Sequence, residues 1–349
     1  MKDIKSMTPD ELSEFVQSIG EPQYRAAQVF KWLHGGVRDF DEMTNISIKT
    51  RSKLREHSFI VTAERAAKQV SKKDGTIKYL FAFADGNCVE SVFMRYKHGN
   101  SICISTQAGC RMGCGFCAST VGGLIRNLAP SEMLEQVIGI MRDTGEKITN
   151  IVLMGTGEPL DNYDNVIRFL KLVNDKNGLN IGMRHISLST SGLCDKIYRL
   201  AEENIPVTLS VSLHAPDDGT RNKIMPVNRK YGVSRLIEAC RYYYSRTSRR
   251  ISFEYALISG VNDTREAALN LSRLLSGFPC HINLIMLNKT VESDFSPPSR
   301  DWARKFQGIL EQNGLNVTMR RSMGEDISAA CGQLRRKAIA ANERNGLTT

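Results

Sequence analysis

Cys110, Cys114 and Cys117 are separated only by Gly, Arg, Met and Phe in the run CRMGCGFC. A thiolate is a soft metal ligand, and three of them in eight residues can hold zinc or iron. Zinc sites normally pair one Cys-x2-Cys knuckle with a second Cys or His pair. After Cys117, however, the next cysteine is Cys194 and the next histidine His185, neither in a knuckle. Clusters that only carry electrons take four cysteines. Three thiolates without a close fourth therefore read as a [4Fe–4S] site with one iron open to a substrate or cofactor, and an open iron implies chemistry at the cluster.

Other residues suit a polar ligand beside such a cluster. In MGTGEP (residues 154–159) the glycines permit a tight backbone close to a ligand. Gly157 and Glu158 offer carbonyl and carboxylate acceptors for the ammonium of a methionine moiety. Ser189, Ser212, His214 and Asn288 fall at or just beyond the carboxyl ends of predicted strands, where a barrel of strands and helices builds its active site. Leu213 lies between two of them. Cys331 sits in the small-residue run SAACG, beyond the last predicted strand. A glutamate on a hairpin strand, such as Glu90 in DGNCVESV, ordinarily faces water.

The elements that must position these groups alternate. A short β-branched stretch at 101–106 leads into the cysteine loop, and 130–143 follows as a helix. Strands are predicted at 148–155, 185–189, 207–214, 251–258, 281–287 and 317–321, with helices at 162–174, 195–203, 234–245, 264–275 and 300–313 between them. This order predicts an α/β fold with a parallel sheet and right-handed crossovers. The first 57 residues read instead as a small helical domain. Thr8-Pro9-Asp10-Glu11 is a capped helix start, 23–34 carries apolar residues at helical spacing, and Gly35-Gly36 ends that helix. Between 58 and 97 the pattern turns to strand alternation, with Asp85-Gly86 marking a hairpin. The expected domains are thus 1–57, helical; 58–97, a β-hairpin linker; 98–322, the barrel; and 323–349, a segment carrying Cys331.

Together the cysteine loop, MGTGEP, STSG (189–192), SLHAP (212–216), AACGQL (329–334) and the amino-terminal EPQYRAAQVFKWLH and DEMTNIS resemble the RlmN/Cfr family of radical S-adenosylmethionine RNA adenine methyltransferases. The likeness spans nearly the whole chain. It implies a radical SAM partial (β/α)6 barrel behind a helix–hairpin–helix-like accessory domain, with a [4Fe–4S] cluster on Cys110, Cys114 and Cys117. It implies S-adenosyl-L-methionine bound by Gly157, Glu158, Ser189, Ser212, Leu213, His214 and Asn288. It also gives Cys331 the role of a cysteine that is methylated by one S-adenosylmethionine. A second generates a 5′-deoxyadenosyl radical that takes a hydrogen from the S-methyl group, and the methylene radical adds to adenine. Cys103 matches the cysteine that resolves the protein–RNA adduct by a disulfide with Cys331, and Glu90 matches a proton acceptor; either could remove the ring proton. The family's substrates are an adenosine in the peptidyl-transferase loop of 23S rRNA and adenosine 37 of tRNA. Pro159 after Glu158 resembles the C2-methylating branch more than the C8-methylating resistance branch, the alternative, while Thr156 departs from the Met common at its position.

Composition fits a polyanion partner. The formal charge is +10, and Arg221–Arg250 carries nine Lys or Arg against Glu238 alone, with Tyr242, Tyr243 and Tyr244 among them. Arg320, Arg321, Arg335, Arg336 and Lys337 bracket Cys331. These positions are expected at RNA phosphates. Nine cysteines and a charged, non-apolar start predict a reducing cytoplasm, and no apolar stretch approaches membrane-spanning length. The resemblance implies an electron donor such as flavodoxin and a protein acting as a monomer. A plain iron–sulfur electron carrier or an RNA-binding protein with a structural metal would have no use for Cys331 and the ligand motifs.

Overall fold

The computed structural model describes residues 1–288, 294–321 and 323–327. It opens with β1 (Lys2–Asp3), α1 (Pro9–Ser18), α2 (Tyr24–His34), α3 (Ile48–His57) and β2 (Ser58–Phe59), which pairs parallel with β1. Thr8 and Glu11 cap α1 reciprocally, side chain to backbone, with Pro9 in the first turn, as the sequence predicts. In α2, Ala26, Val29, Phe30 and Leu33 form the buried face. The helical unit is fastened to the barrel by Lys5, whose ammonium donates to the Glu135 carboxylate (2.6 Å) and to Val61 O (2.7 Å). Both side chains are fully buried.

There follow β3 (Glu64–Val70), β4 (Ile77–Ala82), β5 (Cys88–Tyr96), β6 (Gly99–Cys103), β7 (Gln107–Gly109), β8 (Leu124–Asn127), α4 (Pro130–Thr144), β9 (Asn150–Leu153), α5 (Tyr163–Asn174), β10 (Ile186–Thr190) and α6 (Cys194–Glu202). The chain continues through β11 (Thr208–Ser212), α7 (Asp218–Ile224), α8 (Val233–Thr247), β12 (Ile251–Leu257), α9 (Arg265–Leu275), β13 (Cys280–Met286), α10 (Arg300–Gln312) and β14 (Val317–Met319). Ten strands form one sheet in the order β14-β13-β12-β11-β10-β9-β6-β5-β4-β3. From β6 to β14 every pair is parallel, and each step to the next strand passes through helix, which is the predicted (β/α)6 unit. Since β3 and β14 are its edges, the barrel is open. The hairpin expected as a linker extends this sheet: β5 pairs antiparallel with β6, and β4 and β3 follow. Buried Val89, Leu80 and Phe93 leave it no stable existence apart from a neighbouring strand.

Apolar and polar residues alternate along much of β10, β11, β12 and β13. Ile186, Leu188, Leu209, Val211, Phe253, Ile282 and Leu284 belong to the main apolar core. Between them, register sets Ser187 beside Thr208, Ser189 beside Ser210, Ser210 beside Ser252, Ser212 beside Glu254, and Glu254 beside Asn283. Cross-strand partners share a face, so one side of the sheet is apolar and the other carries rows of hydroxyls, carboxyl and amide. Parallel sheets are ordinarily apolar on both sides; a polar inner face marks this lumen as a place for a polar ligand.

Candidate active site

The cysteine loop, residues 110–123, is an excursion between antiparallel β7 and β8. At its neck Cys110 N donates to Gly123 O (3.0 Å). Gly109 has φ +80°, and a Cβ there would lie 2.1 Å from Gly123 O, so the neck closes only around glycine. Inside the loop Cys117 N donates to Cys114 O (3.1 Å), Thr120 Oγ1 donates to Cys117 O (2.9 Å), and Gly115 N donates to Ile224 O (2.9 Å) at the end of α7. Burial pushes the Cys110 thiol up to about 12 and holds the Cys114 thiol above the ordinary thiol range, and the neighbouring sulfurs add to both shifts. Without metal these thiols hold their protons, which metal binding would release. Among the described residues no three His, Cys, Asp or Glu groups converge on a single ion. Three thiols on one loop, near enough for the charge of one to act on another, are the donor set a cysteine-ligated cluster would take.

Beside this loop the MGTGEP segment packs on residues 104–107. Gly155 N donates to Ile104 O (3.0 Å), and Thr106 N and Gln107 N donate to Thr156 O (2.9 and 3.2 Å). Gly157 has φ +108°, and a Cβ on it would stand 2.6 Å from Gln107 Cβ. Thr106 Oγ1 and Thr156 Oγ1 are buried here without hydrogen-bond partners. Orphaned hydroxyls along a glycine cradle are what a polar cofactor such as S-adenosylmethionine would satisfy. The Glu158 carboxylate is buried and accepts from Leu160 N (3.0 Å) and Ser191 N (2.6 Å), so it clamps this loop to the end of β10, and each oxygen keeps a further acceptor site.

Ser189 and Ser212 are half-buried at the carboxyl ends of β10 and β11, Leu213 is buried, and Asn288 is exposed beyond β13. His214 sits in the left-handed region (φ +54°). Its Nδ1 accepts from Ala256 N (2.9 Å), and its carbonyl accepts from Asn262 Nδ2 (2.7 Å). Burial holds the imidazole down to about 3, so it is neutral, with its hydrogen on Nε2. Phe116 of the cysteine loop packs edge-on against it at 5.0 Å, joining the cluster loop to the ligand-facing strand ends.

Cys103 ends β6, in register with Val92 and Val152. Glu90 is not the solvated charge expected: it is buried on β5, with its carboxylate 3.2 Å from the equally buried Lys78 ammonium. Burial pushes the Cys103 thiol up to about 11, opposed chiefly by Arg320 and felt by Glu90 and Lys78. Arg320 lies 3.6 Å from Glu254, whose Oε2 is buried without a hydrogen bond. Cys103, Glu90, Lys78 and Arg320 thus form one electrostatic group. Sequence reading missed Lys78 and Glu254, although each is a charge inside an apolar strand, in TIKYLFA and ISFEYAL. The basic tract also needs correction, because Arg221 and Tyr243 are fully buried and cannot meet a phosphate. Cys331, Arg335, Arg336 and Lys337 lie outside the described residues.

Family models agree with this geometry. The radical SAM superfamily matches residues 104–271, and the ribosomal RNA large subunit methyltransferase N-terminal domain matches residues 2–60. A probable dual-specificity RNA methyltransferase RlmN of Alkaliphilus oremlandii is 52% identical over 337 residues, covering 97% of this chain and 98% of that protein. The chain belongs to the RlmN family. An RlmN of Clostridium novyi is 50% identical over 98% of this chain and 100% of that protein. A crystal structure of a radical SAM methyltransferase from Sphaerobacter thermophilus superposes with a TM-score of 0.91 at 43% identity, covering 95% of this chain and 99% of that one. As an RlmN-family radical SAM enzyme, this chain is a methyltransferase whose cofactors are a [4Fe–4S] cluster and S-adenosylmethionine. Among the described residues no helix is long and apolar enough to cross a membrane.

Proposed function

We propose that this enzyme methylates C2 of adenine in 23S rRNA and at position 37 of tRNA. The observation that carries the reading is the juxtaposition of an open-site cysteine loop and an orphaned-hydroxyl cradle with a polar lumen holding Cys103, Glu90 and Arg320. The cofactors supply a carbon-centred radical, which aromatic carbon C2 requires because it is a poor nucleophile. Cys110, Cys114 and Cys117 hold the cluster. Gly157, Ser189, Ser212, Leu213, His214 and Asn288 border the S-adenosylmethionine site, with Glu158 fixing its loop. Cys331 carries the methyl group to the base. Of the two candidate bases, the geometry favours Glu90, a carboxylate held beside Lys78, over Cys103, whose burial keeps its thiol protonated at neutral pH. Cys103 is then the resolving thiol.

RNA access follows from charge. A cleft of about 410 Å3 beside β14 is lined by Lys73, Arg300, Arg304, Arg320 and Arg321 against Asp74. Arg320, which lines the cleft, also reaches Met154 Sδ (3.5 Å). A base entering this lumen must leave its stack, which favours loops over duplex. The test is isotopic. With trideuteriomethyl-labelled S-adenosylmethionine, passage through Cys331 predicts a product methyl with two deuteriums, one having left as a hydrogen atom. Three retained deuteriums would mean direct transfer and sink the Cys331 route. A small flavoprotein as electron donor, action as a monomer and a cytoplasmic setting belong to the same proposal.

A further inference from the structure

Arg221 is a buried cation with no carboxylate of its own. It lies on α7 and is fully buried. Nε donates to Leu213 O (2.9 Å), Nη1 to Asn228 Oδ1 (2.9 Å), and Nη2 to Ser191 O (2.7 Å) and Ser212 O (2.9 Å). All four acceptors are neutral. Asp218, whose charge reaches it, is bonded instead to Asn228 Nδ2 (2.9 Å) and Val233 N (2.7 Å). Burial lowers this guanidinium to about 10, which still leaves it charged at neutral pH, and the group that most opposes that shift is Cys114. One turn further along α7, Ile224 O receives Gly115 N from between two cluster cysteines.

An isolated buried charge is costly, and natural proteins pair it. With a cluster bound, three thiolates on the adjoining loop and the cluster's net negative charge would supply the counter-ion. We infer that Arg221 is a positioning residue with two jobs: its charge balances the cluster and raises its reduction potential, while its fork ties the ends of β10 and β11 into the S-adenosylmethionine site. This rests on cluster ligation by Cys110, Cys114 and Cys117. Positive charge near a cluster favours the reduced, more negative state, and cluster potentials respond to local charge and hydrogen bonding. The fork bridges the Ser191, Ser212 and Leu213 carbonyls across the ends of β10 and β11.

Two variants separate the jobs. Arg221→Gln keeps N–H donors and loses the charge, whereas Arg221→Lys keeps the charge and loses the fork. Each is reconstituted anaerobically with iron and sulfide, matched to wild type by iron content, and titrated with dithionite and mediators while the reduced-cluster EPR signal is followed. S-adenosylmethionine affinity is measured separately. Arg221→Gln should show at least tenfold less reduced cluster at a fixed potential, a shift of about 59 mV to the negative for one electron. Arg221→Lys should keep close to the wild-type potential and bind S-adenosylmethionine at least tenfold more weakly. A Gln protein with full iron and unchanged potential, or a Lys protein shifted as far as Gln, overturns the inference. Should the Gln variant not fold, the Lys protein decides alone, an unchanged potential supporting the charge role and a tenfold shift refuting it. Loss of iron from wild type itself would instead refute the ligation reading.

Discussion

At the scale of single residues, the structure sorts groups that sequence alone leaves equivalent. Glu90 and Cys103 both stood as candidate bases; only burial and partners separate a carboxylate held by Lys78 from a thiol kept protonated. Glu90→Gln should therefore lower 2-methyladenosine formation by about 10²–10⁴-fold, the usual span of general base catalysis. S-methylation of Cys331, read by peptide mass spectrometry, should be unaffected; an unchanged RNA methylation rate would return the role to Cys103. His34 offers a test by pH. It is buried, both ring nitrogens lack partners, and burial holds it down to about 4. The unfolded chain, with a histidine near 6.5, binds the proton more readily, so this contribution to stability is complete above pH 6.5 and is lost as pH falls toward 4. Compared with His34→Leu, the wild-type apoprotein should lose about 1.4 kcal/mol per pH unit between 6 and 4.5 in denaturant titrations. A pH-independent difference would contradict the burial account. The cluster cysteines were legible because their spacing is local. Lys78, Glu254 and Arg221 were not, because what distinguishes them is the environment that distant strands build around them.

At the scale of elements, the strand–helix alternation was readable from periodicity, and its predicted members recur within a few residues, as at β10, α5 and α9. Predicted strands that ran long, such as 148–155 against Asn150–Leu153, did so because apolar residues such as Ile148 and Met154 continue the run past the residues that pair. The β7–β8 ribbon escaped notice because three- and four-residue strands carry too little alternation to register. That ribbon is what gives the cysteine loop its neck, so its glycine is testable. Gly109→Val places a side chain against Gly123 O and forces φ out of the positive region. Its iron content after reconstitution should fall well below half that of wild type while the far-ultraviolet circular dichroism stays the same; full iron loading would show that the neck is not required. Gly157 makes the matching contact on the cofactor side of the loop.

At the scale of the whole molecule, the buried Lys5–Glu135 pair joins the helical domain to the barrel beside bonds such as Ser131 Oγ to Asp3, and the basic cleft lies where β14 and α10 meet the turn between β3 and β4. Removing one partner of a buried pair costs about 3–5 kcal/mol, so Lys5→Met should lower the apoprotein's unfolding free energy in denaturant titrations by that much, and Lys5→Met with Glu135→Leu should recover most of it. Equal unfolding free energies for single and double variants would remove the pair from the account. For the cleft, reversing Arg320 and Arg321 to Glu should weaken RNA binding and flatten the salt dependence of affinity, each lost phosphate contact lowering the slope by roughly 0.7–0.9. An unaltered slope would place the RNA elsewhere. The charge of +10 pointed to a polyanion, but linear sequence could not tell the buried Arg221 from the exposed members of its tract. The central claim is adenine C2 methylation, and the most direct measurement is nucleoside mass spectrometry. Enzyme reconstituted with iron and sulfide is incubated with dithionite, S-adenosylmethionine and either unmodified 23S rRNA fragment or unmodified tRNA, beside a Cys331→Ala control. The account predicts 2-methyladenosine from both RNAs and none in the control; 8-methyladenosine, or no methyladenosine from an enzyme with a full cluster, would contradict it.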